Sequence, residues 1–320
     1  MLLPIIDSSQ PHAQVGNGPA HISSVRVLRI SVTDRCNYRC VYCMPEAGVP
    51  WLPKSEILNF DEIAQVAKAA IRVHGIRRFK LTGGEPTVRN GLVDLVSTLR
   101  CLDGIVDLSL TTNGQRLAEL AQPLRRAGLD SAEAVGLNPI KINCVTMRGI
   151  NDTELSDFAR LTLDRKVTVR FIEFMPLGES VIGPAAGCDN QNRGENALIP
   201  EAEARTIIEN EFGPLLPVER RTEAGVGPAT VWRIPNARGR IGFISAMSSP
   251  FCSTCNRLRL TADGLLRSCL FDGGEVDVKP ILRGPDPSSK ALAHAMSECV
   301  RLKPKTHSYH GNKQMSMIGG

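Results

Sequence analysis

The alternation of short apolar stretches with helical patterns constrains the fold of this chain more than any other feature. Apolar stretches at 27–32, 78–81, 105–110, 140–145 and 167–174 are predicted as buried strands. The segments between them carry helical spacing, and the first helix is predicted to begin at Asn59, with Glu62 completing a capping box. This order predicts an α/β fold with right-handed βαβ units and a parallel sheet, which closes fully or partly into a barrel. In such folds the loops at the carboxyl ends of the strands build the active site.

The periodicity changes along the chain, and the changes predict its domain organisation. Residues 1–25 mix Pro, Gly and Ser without period and are predicted to form a flexible arm. Residues 26–246 are predicted to form the partial barrel, with a surface loop at 177–199 and a helix at 201–211. Short strands follow at 229–234, 240–245 and 257–261. Residues 247–320 are predicted to form a C-terminal extension.

Charge and cysteine usage exclude several classes of protein. The net charge is +5, which is too small to indicate a nucleic-acid-binding protein. No stretch approaches the length of a membrane span, and the first 25 residues contain no Lys or Arg. We therefore expect a cytoplasmic protein without a signal peptide. Six of the ten cysteines fall into two groups, which indicates metal binding rather than a disulfide framework.

The first cysteine group supplies three thiolates from one short loop. Cys36, Cys40 and Cys43 follow the first predicted strand with C-x3-C-x2-C spacing. Three ligands on a [4Fe–4S] cube leave one iron open to a small chelator. The alternative is a structural zinc loop, but no nearby Cys or His supplies a fourth ligand.

The second cysteine group repeats this three-ligand arrangement. Cys252, Cys255 and Cys269 have C-x2-C-x13-C spacing, and no His falls among them. A second cluster is favoured over a zinc ribbon that lacks one ligand. Cys299 lies on a predicted helix, and we expect it to be structural.

Cations in unusual positions indicate an anionic ligand. Arg29, Lys80 and Lys141 each interrupt an apolar strand, which is costly unless an anion meets them. Arg257 and Arg259 alternate along a predicted strand, so their side chains point the same way. Guanidinium groups suit phosphates and purine edges, although a solvated basic face is the common alternative.

The turn at Gly83, Gly84 and Glu85 ends the second predicted strand. Glycines there allow backbone to approach a ligand closely, and Glu85 can accept hydrogen bonds from an ammonium group. A plain strand-to-helix turn is the alternative reading. The position one strand after the cysteine loop favours a site for the methionine part of a cofactor.

Together these motifs resemble a known family. The first cysteine spacing, with Tyr42 before the last thiol, resembles the radical S-adenosylmethionine superfamily. The segments 28–37, 81–86, 111–114, 170–173 and 251–259, with the terminal Gly319-Gly320, resemble its GTP 3′,8-cyclase family. The resemblance implies a lyase of molybdenum cofactor biosynthesis that converts GTP to (8S)-3′,8-cyclo-7,8-dihydroguanosine 5′-triphosphate. It also implies two [4Fe–4S] clusters and S-adenosylmethionine as cofactors.

The resemblance further implies roles for particular residues. It assigns GTP contacts to Arg29, Lys80, Thr111, Lys141, Arg257 and Arg259. It places Met175 against the adenine of S-adenosylmethionine, although a Met at a strand end is otherwise typical of core packing. Arg29, Arg257, Arg259, Gly319 and Gly320 are the implied catalytic residues.

The resemblance also implies partners. A reducing electron donor such as flavodoxin or ferredoxin would serve the first cluster, and cyclic pyranopterin monophosphate synthase would consume the product. The resemblance is compatible with a homodimer, and it implies neither a nucleic-acid partner nor an attachment to a membrane.

The chain departs from the family after Asp130. Family members continue with a strand and a helix, whereas here Ser131–Leu137 resembles the tail of that later helix. The apparent loss is one βα unit, roughly 30 or more residues. It leaves two alternatives to the cyclase open, a non-catalytic or impaired iron–sulfur protein and a radical maturase with an auxiliary cluster. A maturase would not be expected to carry the Arg257 and Arg259 pair.

Overall fold

The computed structural model of the chain describes residues 19–132, 140–177, 197–219, 227–271, 274–285, 287–307 and 315–318. The helices are α1 (Phe60–His74), α2 (Leu92–Arg100), α3 (Leu117–Arg126), α4 (Leu155–Asp164), α5 (Glu201–Phe212), α6 (Lys279–Leu282), α7 (Ser289–Arg301) and α8 (Met315–Ile318). The strands are β1 (Val27–Ser31), β2 (Arg78–Thr82), β3 (Asp107–Leu110), β4 (Ser131–Ala132), β5 (Ile140–Thr146), β6 (Val167–Glu173), β7 (Leu216–Pro217), β8 (Thr230–Arg233), β9 (Arg240–Ile244), β10 (Arg257–Leu260), β11 (Leu265–Arg267) and β12 (Glu275–Asp277).

Local sequence signals set the ends of the first helix as predicted. The Asn59 side chain accepts a hydrogen bond from the Glu62 amide at 2.8 Å, and the Glu62 carboxylate accepts one from the Asn59 amide at 2.7 Å. Gly75 ends the helix in the left-handed region, at φ 63°. The predicted capping box and helix stop are therefore confirmed.

A seven-stranded sheet forms the first half of the molecule, in the order β12-β11-β10-β1-β2-β3-β4. The strands from β10 to β4 are parallel, which the alternation of strands and helices predicted. One face of the sheet is apolar, and Leu28, Phe79, Leu108 and Leu258 on it are fully buried in the core. That core includes residues of α1, α2, α3 and α7, so the helices cover one face and leave the other for polar side chains.

A five-stranded sheet forms the second half, in the order β5-β6-β9-β8-β7. Strands β5, β6 and β9 are parallel, and β8 and β7 add antiparallel to the edge. Its apolar face packs with α4 and α5 around Val169, Phe171, Ile241 and Phe243. The chain is therefore a mixed α/β protein with two largely parallel sheets.

The chain passes from the first sheet to the second just after Asp130, where its sequence departs from that of the family. Ser131–Ala132 forms a two-residue strand parallel to β3, whereas the next strand, β5, belongs to the other sheet. The prediction that Ser131 and Ala132 belong to a helix tail is wrong, because pairing with β3 holds them in a strand. The rest of that segment, 133–139, lies outside the described residues.

The C-terminal segment is built into the first sheet. Strand β10 pairs parallel with β1, and α7 packs against α1. The boundary at residue 247 stays a prediction. At the other end Val25 is buried and Ile22 packs against the core, while 1–18 of the predicted arm lie outside the described residues. No described helix combines the length and the apolar character needed to cross a membrane.

Candidate active site

A row of cations crosses the polar face of the seven-stranded sheet. Strand register places Arg259 beside Arg29, Arg29 beside Lys80, and Lys80 beside Ser109. Register partners point to the same face, and neighbouring strands lie about 4.8 Å apart. Three of the cations predicted to meet an anion are therefore adjacent in the fold, although they lie up to 230 residues apart in the sequence.

The polar face of the five-stranded sheet supplies the next cation. Lys141 lies beside Thr168, and in the next row the Arg170 Nε donates to Asn143 Oδ1 at 2.8 Å. Asp107 on β3 lies near cations of both faces. Burial raises the pKa of its carboxyl, and the charges of Lys80 and Lys141 act against that shift. Lys80 and Lys141 therefore lie near the same carboxylate, on either side of the break between the sheets.

Thr111 continues the polar face where β3 ends. It alternates with Asp107 and Ser109, so its side chain lies on their face. Its amide donates to the Leu81 carbonyl at 3.0 Å, which fixes it beside the end of β2. Thr111 therefore lies among the residues that the resemblance assigns to GTP.

The first cysteine loop begins where β1 ends. Its turn is closed by the amides of Cys43 and Met44, which donate to the Cys40 carbonyl at 2.8 and 3.0 Å. Burial and the neighbouring Cys36 raise the pKa of the Cys40 thiol. Burial also raises the pKa of Tyr42, and the neighbouring Cys40 and Cys43 raise it further. Tyr42 therefore lies near all three thiols of the loop.

Tyr42 joins this loop to the second sheet. Its ring packs against the cluster of Met147, Phe174 and Ala197, beside the ends of β5 and β6. On the other side Asp34 Oδ2 accepts from the Leu52 amide at 2.7 Å. The loop is thus held from both sides, and its three thiols are half-buried.

The glycines of the 83–85 turn pack against the start of the cysteine loop. A Cβ on Gly83 would lie 2.3 Å from the Thr33 carbonyl oxygen, and one on Gly84 would lie 2.3 Å from that of Arg35. Gly83 also adopts φ 144°, which side chains rarely tolerate. In this structure the close approach is between two backbone segments, so the turn positions the cysteine loop. Contact with a cofactor stays a prediction for Gly83 and Gly84.

Glu85 ties three loops together through a buried carboxylate that is 1% exposed. Its Oε1 accepts hydrogen bonds from the Thr87 amide at 3.0 Å, the Thr87 hydroxyl at 2.5 Å and the Thr112 hydroxyl at 2.7 Å. Its Oε2 accepts one bond, from the Asn113 amide at 2.6 Å. A carboxylate oxygen can accept more than one bond, so Oε2 retains capacity for an ammonium donor.

The second cysteine triad lies where β10 begins. Burial raises the pKa of Cys252, and neighbouring Cys269 and Cys255 raise it further. Burial also raises the pKa of Cys255, but Arg257 and Lys303 outweigh that effect and bring it to about 7. Arg257 Nη2 lies 3.9 Å from Cys255 Sγ. This triad therefore lies in positively charged surroundings.

Arg259 links the second triad to the row of strand cations. It is 4% exposed, and burial lowers the pKa of its guanidinium far below the usual value. The neighbouring charges of Arg29 and Arg257 lower that pKa further, whereas Cys255 and Cys269 act in the opposite direction. Arg259 is therefore close both to the polar face and to the thiols of the triad.

Met175 lies in a small apolar cluster beside this triad. The cluster consists of Leu177, Met247, Phe271 and Ile318, with Met175, Leu198, Cys269, Leu270 and Met315 packed against it. The core packing that is typical of a strand-end methionine is present, and a contact with adenine stays a prediction. Gly319 and Gly320 lie outside the described residues, directly after the buried Ile318.

The donor set of each triad, three thiols, fits the three protein ligands of a [4Fe–4S] cube with one open iron. Within the described ranges no set of three Cys, His, Asp or Glu side chains is arranged to hold one ion, and each described cysteine is a free thiol. A cube binds each thiolate through a different iron, so its ligands lie further apart. The buried Ser31 hydroxyl, on the face of Arg29, has no hydrogen-bond partner among the described residues. A bound polar group would supply one.

Three residues near the site were not singled out from the sequence. Lys303 and Asp107 gave no local signal, because their neighbours are distant in the chain. Glu173 lies in the segment 170–173, which carried the resemblance but no assigned role. Its buried carboxylate accepts from the amides of Met247 and Ser248 at 2.8 and 2.9 Å, just before the second triad.

Family models and known proteins match most of this chain. The family described as Radical SAM superfamily matches residues 30–134, and the family described as Molybdenum Cofactor Synthesis C matches residues 167–309. The GTP 3′,8-cyclase of Pelotomaculum thermopropionicum is 42% identical over 92% of this chain and 98% of its own length. The enzyme of Petrotoga mobilis is 38% identical to this chain, and that of Desulforamulus reducens is 41% identical. Each match covers 93% of this chain and 98% of the relative's own length.

Likeness to solved structures is weak. Streptococcus suis SuiB, bound to precursor peptide SuiA, is 10% identical to this chain, with a TM-score of 0.41. The match covers 87% of this chain and 71% of SuiB.

Proposed function

Given that the chain belongs to the GTP 3′,8-cyclase family of radical S-adenosylmethionine enzymes, we propose which of its own residues serve each part of that reaction. The chain is a lyase of molybdenum cofactor biosynthesis that converts GTP to 3′,8-cyclo-7,8-dihydro-GTP. The observation that carries the proposal is the position of Arg259, which is buried between Arg29 and the second triad.

Cys36, Cys40 and Cys43 would hold the cluster that this superfamily implies. When bound, such a cluster supplies the electron that cleaves S-adenosylmethionine to a 5′-deoxyadenosyl radical and methionine. The turn of Gly83 and Gly84 fixes the loop by backbone contact, and Glu85 Oε2, which accepts one bond from the Asn113 amide, would accept another from the ammonium of the methionine part of the cofactor. Tyr42 and Met175 line the site on the side of the second sheet.

Cys252, Cys255 and Cys269 would hold a second cluster, which would bind the guanine of GTP. Arg29, Lys80 and Lys141 bind the triphosphate. Arg29 and Lys80 share the polar face of the first sheet, and Lys141 lies across the break between the sheets, near the same Asp107 carboxylate as Lys80, so an anion there offsets their partial burial. Thr111 donates to the same substrate from the end of β3. Arg257 and Arg259 orient GTP between the phosphate site and the triad.

We also assign Gly319 and Gly320 to this site. Ile318 is buried in the cluster that Met175 and Cys269 contact, which supports an approach of Gly319 and Gly320 to the substrate. An electron donor such as flavodoxin or ferredoxin reduces the first cluster, and cyclic pyranopterin monophosphate synthase consumes the product. A homodimer is compatible with this assignment.

The fold is an incomplete barrel that lacks one βα unit after Asp130. The alignment with the Pelotomaculum relative has 331 positions, while 92% of the 320-residue chain is about 294 residues. About 37 positions therefore have no residue of this chain, which is close to the size of one βα unit. The separation of the two sheets after β4 supports the same position for the loss.

Anaerobic reconstitution tests the assignment of the two triads. We expect about eight irons per chain, formation of 5′-deoxyadenosine, and conversion of GTP to the cyclised product. About four irons would contradict the second cluster. Iron in both sites without cleavage of S-adenosylmethionine would instead favour the impaired or non-catalytic alternative.

A grafted segment tests the missing unit. The corresponding stretch of the Pelotomaculum relative is inserted after Asp130, and a Gly-Ser linker of equal length serves as the control. We expect the graft, but not the linker, to tighten binding of S-adenosylmethionine. Equal affinity in the parent, graft and linker proteins would contradict the proposal.

A further inference from the structure

Lys303 is a buried lysine whose ammonium points at the second cysteine triad. It is 7% exposed and lies just after α7. Its Nζ donates to the carbonyl oxygens of Cys255 and Arg257 at 3.2 and 3.1 Å, and lies 3.7 Å from Cys255 Sγ. One side chain therefore spans the turn that carries both a proposed ligand and a proposed substrate-binding arginine.

The burial of this ammonium needs a nearby negative charge. An ammonium is costly to bury unless it is paired, and two carbonyl oxygens offset only part of that cost. Across the described ranges no carboxylate forms an ion pair with Lys303. The Cys255 sulfur is the further polar atom that Nζ contacts, and the electron-rich sulfur of a metal-bound thiolate would offset the rest of that cost.

Two other buried cations lie in this part of the molecule. Within the part of the chain that the structure describes, three cationic side chains are buried: Arg259, Arg267 and Lys303. Arg267 forms an ion pair with Glu275, and Arg259 lies near Arg29, Arg257 and the thiols of Cys255 and Cys269. Lys303 is the member of this group that donates directly to both the thiol and the backbone of Cys255.

We propose that Lys303 is a positioning residue of the second triad, which holds the Cys255 sulfur in place and fixes the backbone from which Arg257 and Arg259 project. This inference rests on the proposed second cluster. A cation beside a ligand sulfur stabilises the more negative, reduced form of a cluster. Loss of the charge therefore lowers the reduction potential, and loss of the backbone bonds loosens the arginines that bind GTP.

The test compares Lys303→Met with Lys303→Arg, which keeps the charge. Lys305→Met is the matched control, because Lys305 lies two residues away and is exposed. Each is placed in the full chain and in a Cys36→Ala background, where iron is expected in the second triad alone. The readouts are iron content, the midpoint potential of that cluster, and KM and kcat for GTP in the full chain.

We expect Lys303→Met to shift the midpoint potential to a more negative value and to raise KM for GTP about tenfold, an order-of-magnitude figure for one lost charged hydrogen bond. Cleavage of S-adenosylmethionine is expected to change less than KM. Lys303→Arg should retain most of the parent potential, and Lys305→Met should match the parent.

Two outcomes separate the inference from the proposed function. A parent protein that never binds iron in the second triad would overturn the proposed function, and this inference with it. A parent that binds iron there, with an unchanged potential and KM in Lys303→Met, would overturn only the role of Lys303. If Lys303→Met does not fold, Lys303→Arg provides the test. The role of Lys303 would also be overturned if the midpoint potential of Lys303→Arg differed from that of the parent as much as in a variant that removes another positive charge beside the triad.

Discussion

The two cysteine triads have the same number of thiols but different surroundings. Cys36, Cys40 and Cys43 lie in a half-buried loop held by backbone contacts, and burial raises the pKa of Cys40. The second triad lies beside Arg257, Arg259 and Lys303, and its Cys255 has a pKa of about 7. Nearby Arg35 and Arg39 are exposed, and none of the three buried cations of the described residues belongs to the first cysteine loop.

This difference suits two tasks. A cluster that must deliver an electron to a cofactor gains nothing from buried cations, because they stabilise its reduced form. A cluster that must stay in place beside a polyanionic substrate benefits from cations that also bind the substrate. The surroundings therefore distinguish the triads more clearly than the cysteine spacing does.

The largest expected effect separates the triads completely. Cys36→Ala should abolish cleavage of S-adenosylmethionine and leave the second triad with about four irons. Cys252→Ala should retain cleavage and lose conversion of GTP. The measurements are 5′-deoxyadenosine formation and iron content after anaerobic reconstitution. Cleavage that survives in Cys36→Ala would be incompatible with the assignment of the first triad.

Removal of the Arg259 charge should affect only the substrate side. Arg259→Met is expected to raise KM for GTP by at least about 30-fold, since losing one partner of a buried charged contact costs about 2–5 kcal/mol. Binding of S-adenosylmethionine should stay at the parent level. Arg301→Met is the control, because Arg301 is exposed and pairs with Glu298 on the surface. A KM close to that of the parent would remove Arg259 from the substrate site.

Two buried carboxylates give a matched pair, one for each triad. Glu85→Gln replaces one carboxylate oxygen by an NH2 group, which cannot accept the hydrogen bond that the Thr87 or Asn113 amide donates there. The change should lower the free energy of unfolding by about 1–3 kcal/mol. Iron should be lost from the first triad. Glu173→Gln should have a similar cost but perturb the second triad, because Glu173 holds Met247 and Ser248.

Urea unfolding and iron content measure both carboxylate variants. Glu46→Gln is the control, since Glu46 is exposed and lies just after the first triad. Loss of iron from the same triad in both variants would contradict the separate roles of Glu85 and Glu173.

The smallest expected effect is a difference in thiol reactivity without iron. At pH 7 about half of the Cys255 thiols are ionised, because the pKa is about 7. The raised pKa of Cys40 leaves its thiol less ionised at this pH than an ordinary thiol. Iodoacetamide should therefore label Cys255 first at pH 7, and the preference should shrink as the pH rises toward 9. Mass spectrometry of labelled peptides measures it, and faster labelling of Cys40 would contradict the comparison.

Local motifs predicted much of the fold because their signals lie within a few residues. The capping box at Asn59 and the helix stop at Gly75 need only neighbouring side chains and backbone. The parallel sheets follow from the alternation of strands and helices. The sequence-based prediction was wrong at Ser131 and Ala132, because pairing with β3 is a long-range interaction that local similarity does not report.

The candidate site was predicted in part. The cysteines and the strand cations were found because they interrupt expected patterns, and the register places Arg259, Arg29 and Lys80 side by side. Glu85 was expected to face a ligand, whereas most of its hydrogen bonds hold loops of the chain. Lys303 was missed, because 48 residues separate it from Cys255 and a Lys after a helix is ordinary.

The sequence by itself determined which chemical groups this protein carries, namely two sets of three thiols and several cations within strands. Thiol spacing and charge are properties of neighbouring residues, so they can be read without a fold. The tertiary structure alone decided that Lys303, Arg257 and Arg259 surround the second triad while the first is held by backbone. Burial and electrostatic neighbours arise only when distant segments pack together, and they make two similar triads chemically different.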